Sequence, residues 1–391
     1  MTFEELQKLR PEDYCLVDIR SEDNAAYGMI PGAIHLPEKV LLEEIGKLPE
    51  KKTVILYCAR GIRSAELAED PAFSGRRVES LEGGYMGWLV QNMKAQAALD
   101  SASSPQKAEG KAESFALQVE KSIRKKFHKE LFTPFARAIN DYELLSPGDK
   151  VAVCISGGKD STLMAKLFQE LRRHDKFPFE LVFLVMDPGY SPVNRKLIEH
   201  NAARLDIPVT VFESTIFDAV YTVDKNPCYL CARMRRGYLY NRAKELGCNK
   251  IALGHHYDDV IETILMGMLY GGQVQTMMPK LHSTNFEGME LIRPMYLIRE
   301  EDIIRWRDYN GLQFLQCACR FTDTCTTCDP DGRTVSKRME IKHLISELKK
   351  VNPSVEANIF RSVENVNLST VICYKQDGVR HSFLENYSEK G

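Results

Sequence analysis

The sequence predicts an α/β protein of two domains, the larger built on a doubly wound parallel sheet. Three observations carry this expectation. The chain has 391 residues, more than one hydrophobic core usually organises. Residues 94–114, KAQAALDSASSPQKAEGKAES, are rich in Ala, Ser and Lys and poor in large apolar side chains, so they read as a linker, in part helical. On both sides of it, apolar runs alternate with helical patterns. The expected units are 1–95, a linker 96–114, and 115–391.

In the first unit, Cys15–Asp18 and Thr53–Tyr57 are strand-like, and a helix starts near Ser64. In the second, Val151–Ile155, Glu180–Asp187, Pro208–Phe212 and Lys250–Gly254 are almost continuously apolar. Strands of that character are buried on both faces, which a parallel sheet with crossover helices achieves. No internal repeat is present.

Composition narrows the class. Hydrophobic residues make up 44% and charged residues 27%, the balance of a globular protein. The opening MTFEELQKLRPEDY carries acids and no apolar core of a signal peptide, and no run is long enough to span a bilayer. A cytoplasmic location without membrane contact is expected. Eleven cysteines in such a chain point to catalysis or metal binding before disulfides. Cys15, Cys154, Cys248 and Cys373 lie in contexts that suit packing. Residues 1–94 hold 12 Lys+Arg against 16 Asp+Glu, while the whole chain carries -2. A polyanionic partner should therefore prefer the second unit.

Strand Thr53–Tyr57 runs directly into Cys58-Ala59-Arg60-Gly61-Ile62-Arg63-Ser64. A cysteine there faces a ring of backbone N–H groups, with Arg60 and Arg63 adding charge. That setting stabilises an anionic sulfur. A buried strand-end cysteine beside surface arginines is the plainer alternative. The surroundings are Val17-Asp18-Ile19-Arg20, Tyr27-Gly28-Met29-Ile30-Pro31-Gly32-Ala33-Ile34, and Leu81-Glu82-Gly83-Gly84 with Trp88. Together with the cysteine loop they resemble the rhodanese family, although Met29 stands where that family has histidine. The resemblance implies that Cys58 carries a sulfane sulfur. Ser64, where a cysteine phosphatase has arginine, disfavours phosphate-ester chemistry.

After Val151–Ile155 comes Ser156-Gly157-Gly158-Lys159-Asp160-Ser161 and then a helical pattern. Paired glycines let a phosphate approach the backbone, and a helix N-terminus supplies donors. Lys159 offers a point charge and Asp160 a carboxylate for Mg²⁺. The Walker A spacing is absent. The hexapeptide resembles the PP-loop ATP pyrophosphatase superfamily, an adenine nucleotide alpha hydrolase-like fold whose members adenylate a substrate and release pyrophosphate. A second matching element runs from Gly254-His255-His256-Tyr257-Asp258-Asp259 to Glu262 and Thr263. Its acids would cluster across one helical turn.

Between these elements lies Pro227-Cys228-Tyr229-Leu230-Cys231, followed by Arg233, Arg235 and Arg236; Cys317, Cys319, Cys325 and Cys328 come later. With SGGKDS, CYLCARMRRGYLY, IALGHHYDDVIETILMGMLYGG and the Ile292-Arg293-Pro294 turn, the chain from about Ile123 to Thr370 resembles the tRNA 2-thiocytidine synthetase (TtcA) family. That resemblance implies an ATP- and Mg²⁺-dependent tRNA thiolation enzyme. It also implies a [4Fe–4S] cluster on three cysteines, with one iron left open for sulfide. Cys228 and Cys231 match two of these ligands. Cys317 matches the third best, although this chain reads Cys317-Ala318-Cys319 where the family has C-x-x-C. The four late cysteines could instead hold structural zinc.

Lys121–Lys129 has five Lys or Arg in nine residues, among them Arg124, Lys125 and Lys126. This run and the one at Arg233, Arg235 and Arg236 are candidates for contact with RNA. An unstacked anticodon-loop base reaches a pocket more easily than a paired one. The expected partners are tRNA and a persulfide donor such as a cysteine desulfurase, with a homodimer left open. Ligation or thiolation at another tRNA base, and a non-enzymatic iron–sulfur and nucleotide-binding regulator, are the competing functions.

Overall fold

The computed structural model describes residues 1–26, 28–102, 114–214, 216, 227–314 and 337–387. In the first module the strands are β1 (Tyr14–Asp18), β2 (Ile34–His35), β3 (Thr53–Tyr57) and β4 (Val78–Ser80). They form one parallel sheet in the order β2-β1-β3-β4. Its helices are α1 (Phe3–Leu6), α2 (Glu22–Ala26), α3 (Glu38–Glu43), α4 (Ile62–Ala68) and α5 (Gly84–Ala102). Strand β3 is central and Val54–Tyr57 are wholly buried, so the loop that starts at Cys58 leaves from a fixed point.

Beneath that loop lies a buried charged knot. Arg20 Nη2 meets Asp18 Oδ2 at 2.6 Å, and Tyr57 Oη donates to the same oxygen at 2.9 Å. The Ile30 N–H donates to Tyr57 Oη at 3.1 Å, and the Arg20 guanidinium lies 3.8 Å from the Tyr85 ring centroid. The knot ties the Val17–Arg20 run to the Ile30 turn. Removing one partner of such a buried pair typically costs about 3–5 kcal/mol.

The expected linker begins inside helix α5, which continues to Ala102. Alanine has the highest helix propensity, so an Ala-rich run after Trp88 prolongs the helix. Most of the remaining linker, 103–113, lies outside the described residues.

The second module contains β5 (Lys150–Ile155), β6 (Glu180–Asp187), β7 (Val209–Glu213), β8 (Lys250–Ala252), β9 (Lys280–His282) and β10 (Glu290–Ile292). The order is β7-β6-β5-β8-β10-β9, parallel except for β9 at the edge. Its helices are α6 (Phe115–Lys121), α7 (Thr133–Asp141), α8 (Lys159–Arg173), α9 (Pro192–Arg204), α10 (Pro227–Glu245), α11 (Tyr257–Gly271), α12 (Glu300–Tyr309), α13 (Lys337–Val351) and α14 (Val355–Ser362). A hairpin of β11 (Cys373–Gln376) and β12 (Val379–Ser382) follows. The strand order turns around between β5 and β8. Loops leaving the carboxyl ends of those two strands diverge, and a doubly wound sheet opens its ligand crevice there. Sequence alone placed two motifs on these two loops.

The modules share one continuous apolar core that includes Trp88 and Leu89 of α5 and Leu312 and Phe314 of the second module. Asn92 Nδ2 donates to Gln313 Oε1 at 3.1 Å, and Asn201 Nδ2 of α9 donates to the Gln313 carbonyl at 2.9 Å. Among the described residues no helix is long and apolar enough to cross a membrane.

Candidate active site

Two sites emerge, one in each module. At the first, Cys58 Sγ accepts the Gly61 N–H at 3.1 Å and the Ser64 hydroxyl at 3.5 Å. The Ser64 and Ser80 hydroxyls are 2.8 Å apart. Burial pushes the Cys58 thiol up, but hydrogen bonds from Ser64, Arg60 and Gly61 outweigh it and leave the pKa below the usual thiol value. The cradle needs glycine. Gly61 sits at φ +82, where a Cβ would lie 2.8 Å from the Gly83 nitrogen. At Gly84, φ +55, a Cβ would collide with the Cys58 carbonyl oxygen. Gly84→Ala is therefore expected to cost about 1–3 kcal/mol in backbone strain and to reduce thiosulfate-to-cyanide sulfur transfer at least about tenfold. A thermal melt paired with that assay checks both effects.

Arg63 behaves differently from expectation. It is turned away to Glu38, at 2.5 Å, and to Glu66, at 2.8 Å. Its charge is answered by carboxylates, and the thiol is tuned by short hydrogen bonds instead. Arg60 is exposed and lines a shallow depression beside the loop with Gly61, Ser80 and Gly83.

The second site is a cavity of about 360 Å³ at the turn-around of the large sheet, between the loops after β5 and β8. Cys154, Ile155, Met186, Leu239 and Leu253 give it an apolar wall; Ser156, Asp160, Ser161, His255, Asp259, Arg235 and Arg236 give it a polar one. Gly157 adopts φ +85, and a Cβ there would lie 2.5 Å from Ile198 Cγ1. Gly158 then caps α8 in an extended conformation. The Ser161 hydroxyl accepts the Ser156 N–H at 3.1 Å and donates to the Gly158 carbonyl at 3.2 Å, which closes the loop on the helix N-terminus. Gly254 packs closely on the other loop: a Cβ there would lie 3.2 Å from Ser161 N, so a side chain at position 254 would push the two loops slightly apart. Backbone donors at a helix start, facing an apolar slot, suit a nucleotide with its phosphates on the loop.

The charged groups around the cavity form a chain of pairs. Lys159, 2% exposed, lies 3.1 Å from Asp160 and 3.0 Å from Glu300. Glu300 also meets Lys342 of α13 at 2.7 Å; despite burial, the Lys159 charge and its other cationic neighbours hold its carboxyl near 2. Arg338 of α13 joins Asp259 at 2.6 Å and Glu262 at 3.3 Å. Asp259 is half-buried; desolvation pushes its carboxyl up, yet the charges of His256, His255 and Arg338 hold it at about 2. Burial pushes Glu262 up to about 7, with Arg338 pulling against it and Asp259 reinforcing it. Burial likewise lowers His255 to about 4, against the pull of Asp259 and with help from Arg293 and Arg338, so its imidazole is neutral at pH 7. Sequence reading missed Glu300, Arg338 and Lys342, which carry no local motif.

Asp258 does not face the cavity. Its carboxylate accepts the Glu300 N–H at 2.7 Å and pairs with Arg299 at 3.0 Å, which caps α12. Helix periodicity puts neighbouring acids Asp258 and Asp259 on different sides. In the basic run, Ile123, Phe127 and Leu131 are buried at four-residue spacing, Ile123 and Leu131 in two π-helical turns and Phe127 at the junction between them. Arg124 is occupied by Glu120 at 2.9 Å and Glu170 at 3.0 Å. Lys125 is exposed, and Lys126 lies 3.7 Å from the Tyr309 ring centroid. In the second run Arg233 is exposed, Arg235 donates to the Tyr190 hydroxyl at 3.2 Å, and Arg235 and Arg236 both reach the cavity.

Cys228 and Cys231 stand three residues apart at the start of α10. Of the two, only the Cys231 side chain is described; it is buried, and its neighbour Ala232 lines the cavity. Cys317, Cys319, Cys325 and Cys328 lie outside the described residues. Among the described residues no three His, Cys, Asp or Glu side chains are arranged to hold a metal ion.

A strand-end cysteine in a hydrogen-bonded cradle, joined to a glycine–lysine nucleotide loop at the turn-around of a parallel sheet, defines a PP-loop ATP-binding protein with a rhodanese module. Family models agree: residues 2–91 match the rhodanese-like domain and residues 123–319 the PP-loop domain. The tRNA-cytidine(32) 2-sulfurtransferase of Coxiella burnetii RSA 493 is 34% identical over 251 residues, 63% of this chain and 94% of the relative. That of Alkalilimnicola ehrlichii is 35% identical over 248 residues, 63% and 76% of the two chains. Among solved structures, the U34-tRNA thiolase of Methanococcus maripaludis with its [4Fe-4S] cluster superposes with a TM-score of 0.47 at 21% identity, covering 62% and 81% of the chains. The chain belongs to the tRNA-cytidine(32) 2-sulfurtransferase family and is an enzyme of the sulfurtransferase class.

Proposed function

We propose that this enzyme activates C2 of a cytidine in the anticodon loop of tRNA with ATP and replaces its oxygen with sulfur supplied through Cys58. The base oxygen attacks the α-phosphate of ATP and pyrophosphate leaves. Sulfide then adds to C2, and AMP departs with the original oxygen. The Ser156–Ser161 loop holds the phosphates, Lys159 supplies positive field from beneath it, and Asp160 offers a carboxylate to Mg²⁺. His255, neutral at physiological pH, contacts the substrate without adding charge.

Cys58 carries sulfur as a persulfide taken from a desulfurase-type donor, and a thiol reductant supplies the two electrons that release it as sulfide. Cys228, Cys231 and Cys317 would hold a [4Fe–4S] cluster, which supplies an iron for sulfide binding when present. In this reading residues 1–95 are the sulfur-carrying unit, 96–114 the connection and 115–391 the thiolation unit. Arg235 and Arg236 at the cavity, with neighbouring Arg233, offer positive charge to RNA, and Lys125 and Lys126 a second basic run, whereas Arg124 is held by Glu120 and Glu170; the enzyme works in the cytoplasm.

One observation supports the reading most. The phosphate loop and the residues that follow Cys231 open on the same cavity, which supports a common place for activation and sulfur delivery. Deleting the gene and measuring tRNA nucleosides by mass spectrometry tests it. Loss of 2-thiocytidine is expected, restored by the wild-type gene and not by a Ser156/Lys159 double variant. Unchanged 2-thiocytidine in the deletion would refute the substrate.

A further inference from the structure

Two hydroxyls stand in line with the Cys58 sulfur. Ser64, in the first turn of α4, is wholly buried. Its hydroxyl donates to Cys58 Sγ at 3.5 Å and lies 2.8 Å from the Ser80 hydroxyl. Ser80 is half-buried and ends β4, where strand pairing sets it beside Leu56, two residues before the cysteine. As a donor, its hydroxyl also reaches the Gly61 carbonyl of the cysteine loop, at 3.3 Å.

Counting protons decides which way this chain runs. Each hydroxyl has one proton to give. When Ser64 gives its proton to sulfur, the contact with Ser80 is a hydrogen bond only if Ser80 donates. When Ser80 instead gives its proton to the Gly61 carbonyl, that contact takes the Ser64 proton, and sulfur loses its hydroxyl donor. The same atoms therefore hold two orders, Ser80 to Ser64 to Cys58, or Ser64 to Ser80 to Gly61. A thiolate selects the first. Hydrogen bonds to a charged acceptor are about twice as strong as neutral ones, and each donor in a chain polarises the next. We propose that Ser80 is a positioning residue for sulfur transfer: its hydroxyl donates to Ser64 Oγ and so turns the Ser64 proton onto the Cys58 sulfur when that sulfur carries charge. The inference rests on the reading of Cys58 as sulfur carrier and adds to it a residue outside the cysteine loop.

Burial raises the Cys58 thiol, and the main opposing influences are hydrogen bonds from Ser64, Arg60 and Gly61. The charged groups nearby are Arg60 and Glu82, Arg63 held by Glu38 and Glu66, and Glu79 with the Met1 amino group 3.8 Å from it. They are the same in every variant below, so a change in the thiol reports the hydroxyls.

The test follows alkylation of Cys58 by iodoacetamide against pH in the full-length protein, read on the Cys58 peptide by mass spectrometry. Ser80→Ala should raise the midpoint by about half a pH unit, which slows alkylation below the midpoint about threefold. Ser80→Thr, which keeps a hydroxyl, should return the wild-type midpoint. In a Ser64→Ala background, Ser80→Ala should add no further shift, because the link to sulfur is already gone. An unchanged midpoint in Ser80→Ala, the same shift in both backgrounds, or a Ser80→Thr midpoint as high as that of Ser80→Ala would overturn the proposal. The sulfur-carrier reading fails separately: a Cys58→Ser enzyme that keeps thiolation from thiosulfate would refute it, whatever the alkylation midpoints are.

Discussion

Cys58→Ser is expected to lower thiolation from thiosulfate or a persulfide donor by at least about 100-fold, while thiolation from free sulfide stays within about twofold of wild type. The serine oxygen fills nearly the same space and still accepts the Gly61 N–H that now reaches Sγ at 3.1 Å, so the fold should hold. A hydroxyl, however, cannot carry sulfane sulfur. The cradle lowers the thiol pKa through hydrogen bonds that outweigh burial, which raises the share of thiolate available for attack. The two donors separate carrier from scaffold. Equal loss with both would show that the residue matters to something other than relay.

Lys159→Met is expected to reduce tRNA-dependent pyrophosphate release by about 100- to 1000-fold, the usual penalty for removing a preorganised charge from a developing anion. The ammonium is buried between Asp160 and Glu300. Its removal sets two carboxylates against each other, with Lys342 the one cation left in an ion pair with Glu300 among the described residues, and about 3–5 kcal/mol of stability is at risk. Adding Glu300→Gln should return most of that stability and none of the activity. A melt and a pyrophosphate assay on both variants separate the two effects. Release within threefold of wild type in Lys159→Met would remove this lysine from the phosphate chemistry.

Much of this arrangement was legible in the residues, and the reason is local. Thr53–Tyr57 and Glu180–Asp187 are strands at the bounds their apolar runs suggest. Gly157 announces itself because a turn at positive φ with a Cβ contact of 2.5 Å strains any side chain, and Gly254 because its backbone lies close to the facing loop. The linker is expected to be helical in part, and its first residues are helix. The break expected at residue 95 lies inside α5, because alanine favours helix whether or not a core lies beneath it. Strands β9 and β10 are three residues each and carry Lys280, His282 and Glu290, too short and polar for alternation to reveal.

The charges divide the same way. Asp258 and Asp259 look equivalent as neighbours, and only packing shows that one caps α12 while the other faces the cavity. Glu300 reaches Lys159 across 141 residues of chain, and Arg338 reaches Asp259 across 79. By itself the sequence determined the two α/β modules, the cysteine loop and the nucleotide loops, since apolar period and glycine dihedrals act between near neighbours. Tertiary structure alone decided which charge answers which, and that Arg63 serves Glu38 rather than Cys58. Coulomb energy depends on distance through space, and that distance exists only after the chain has packed.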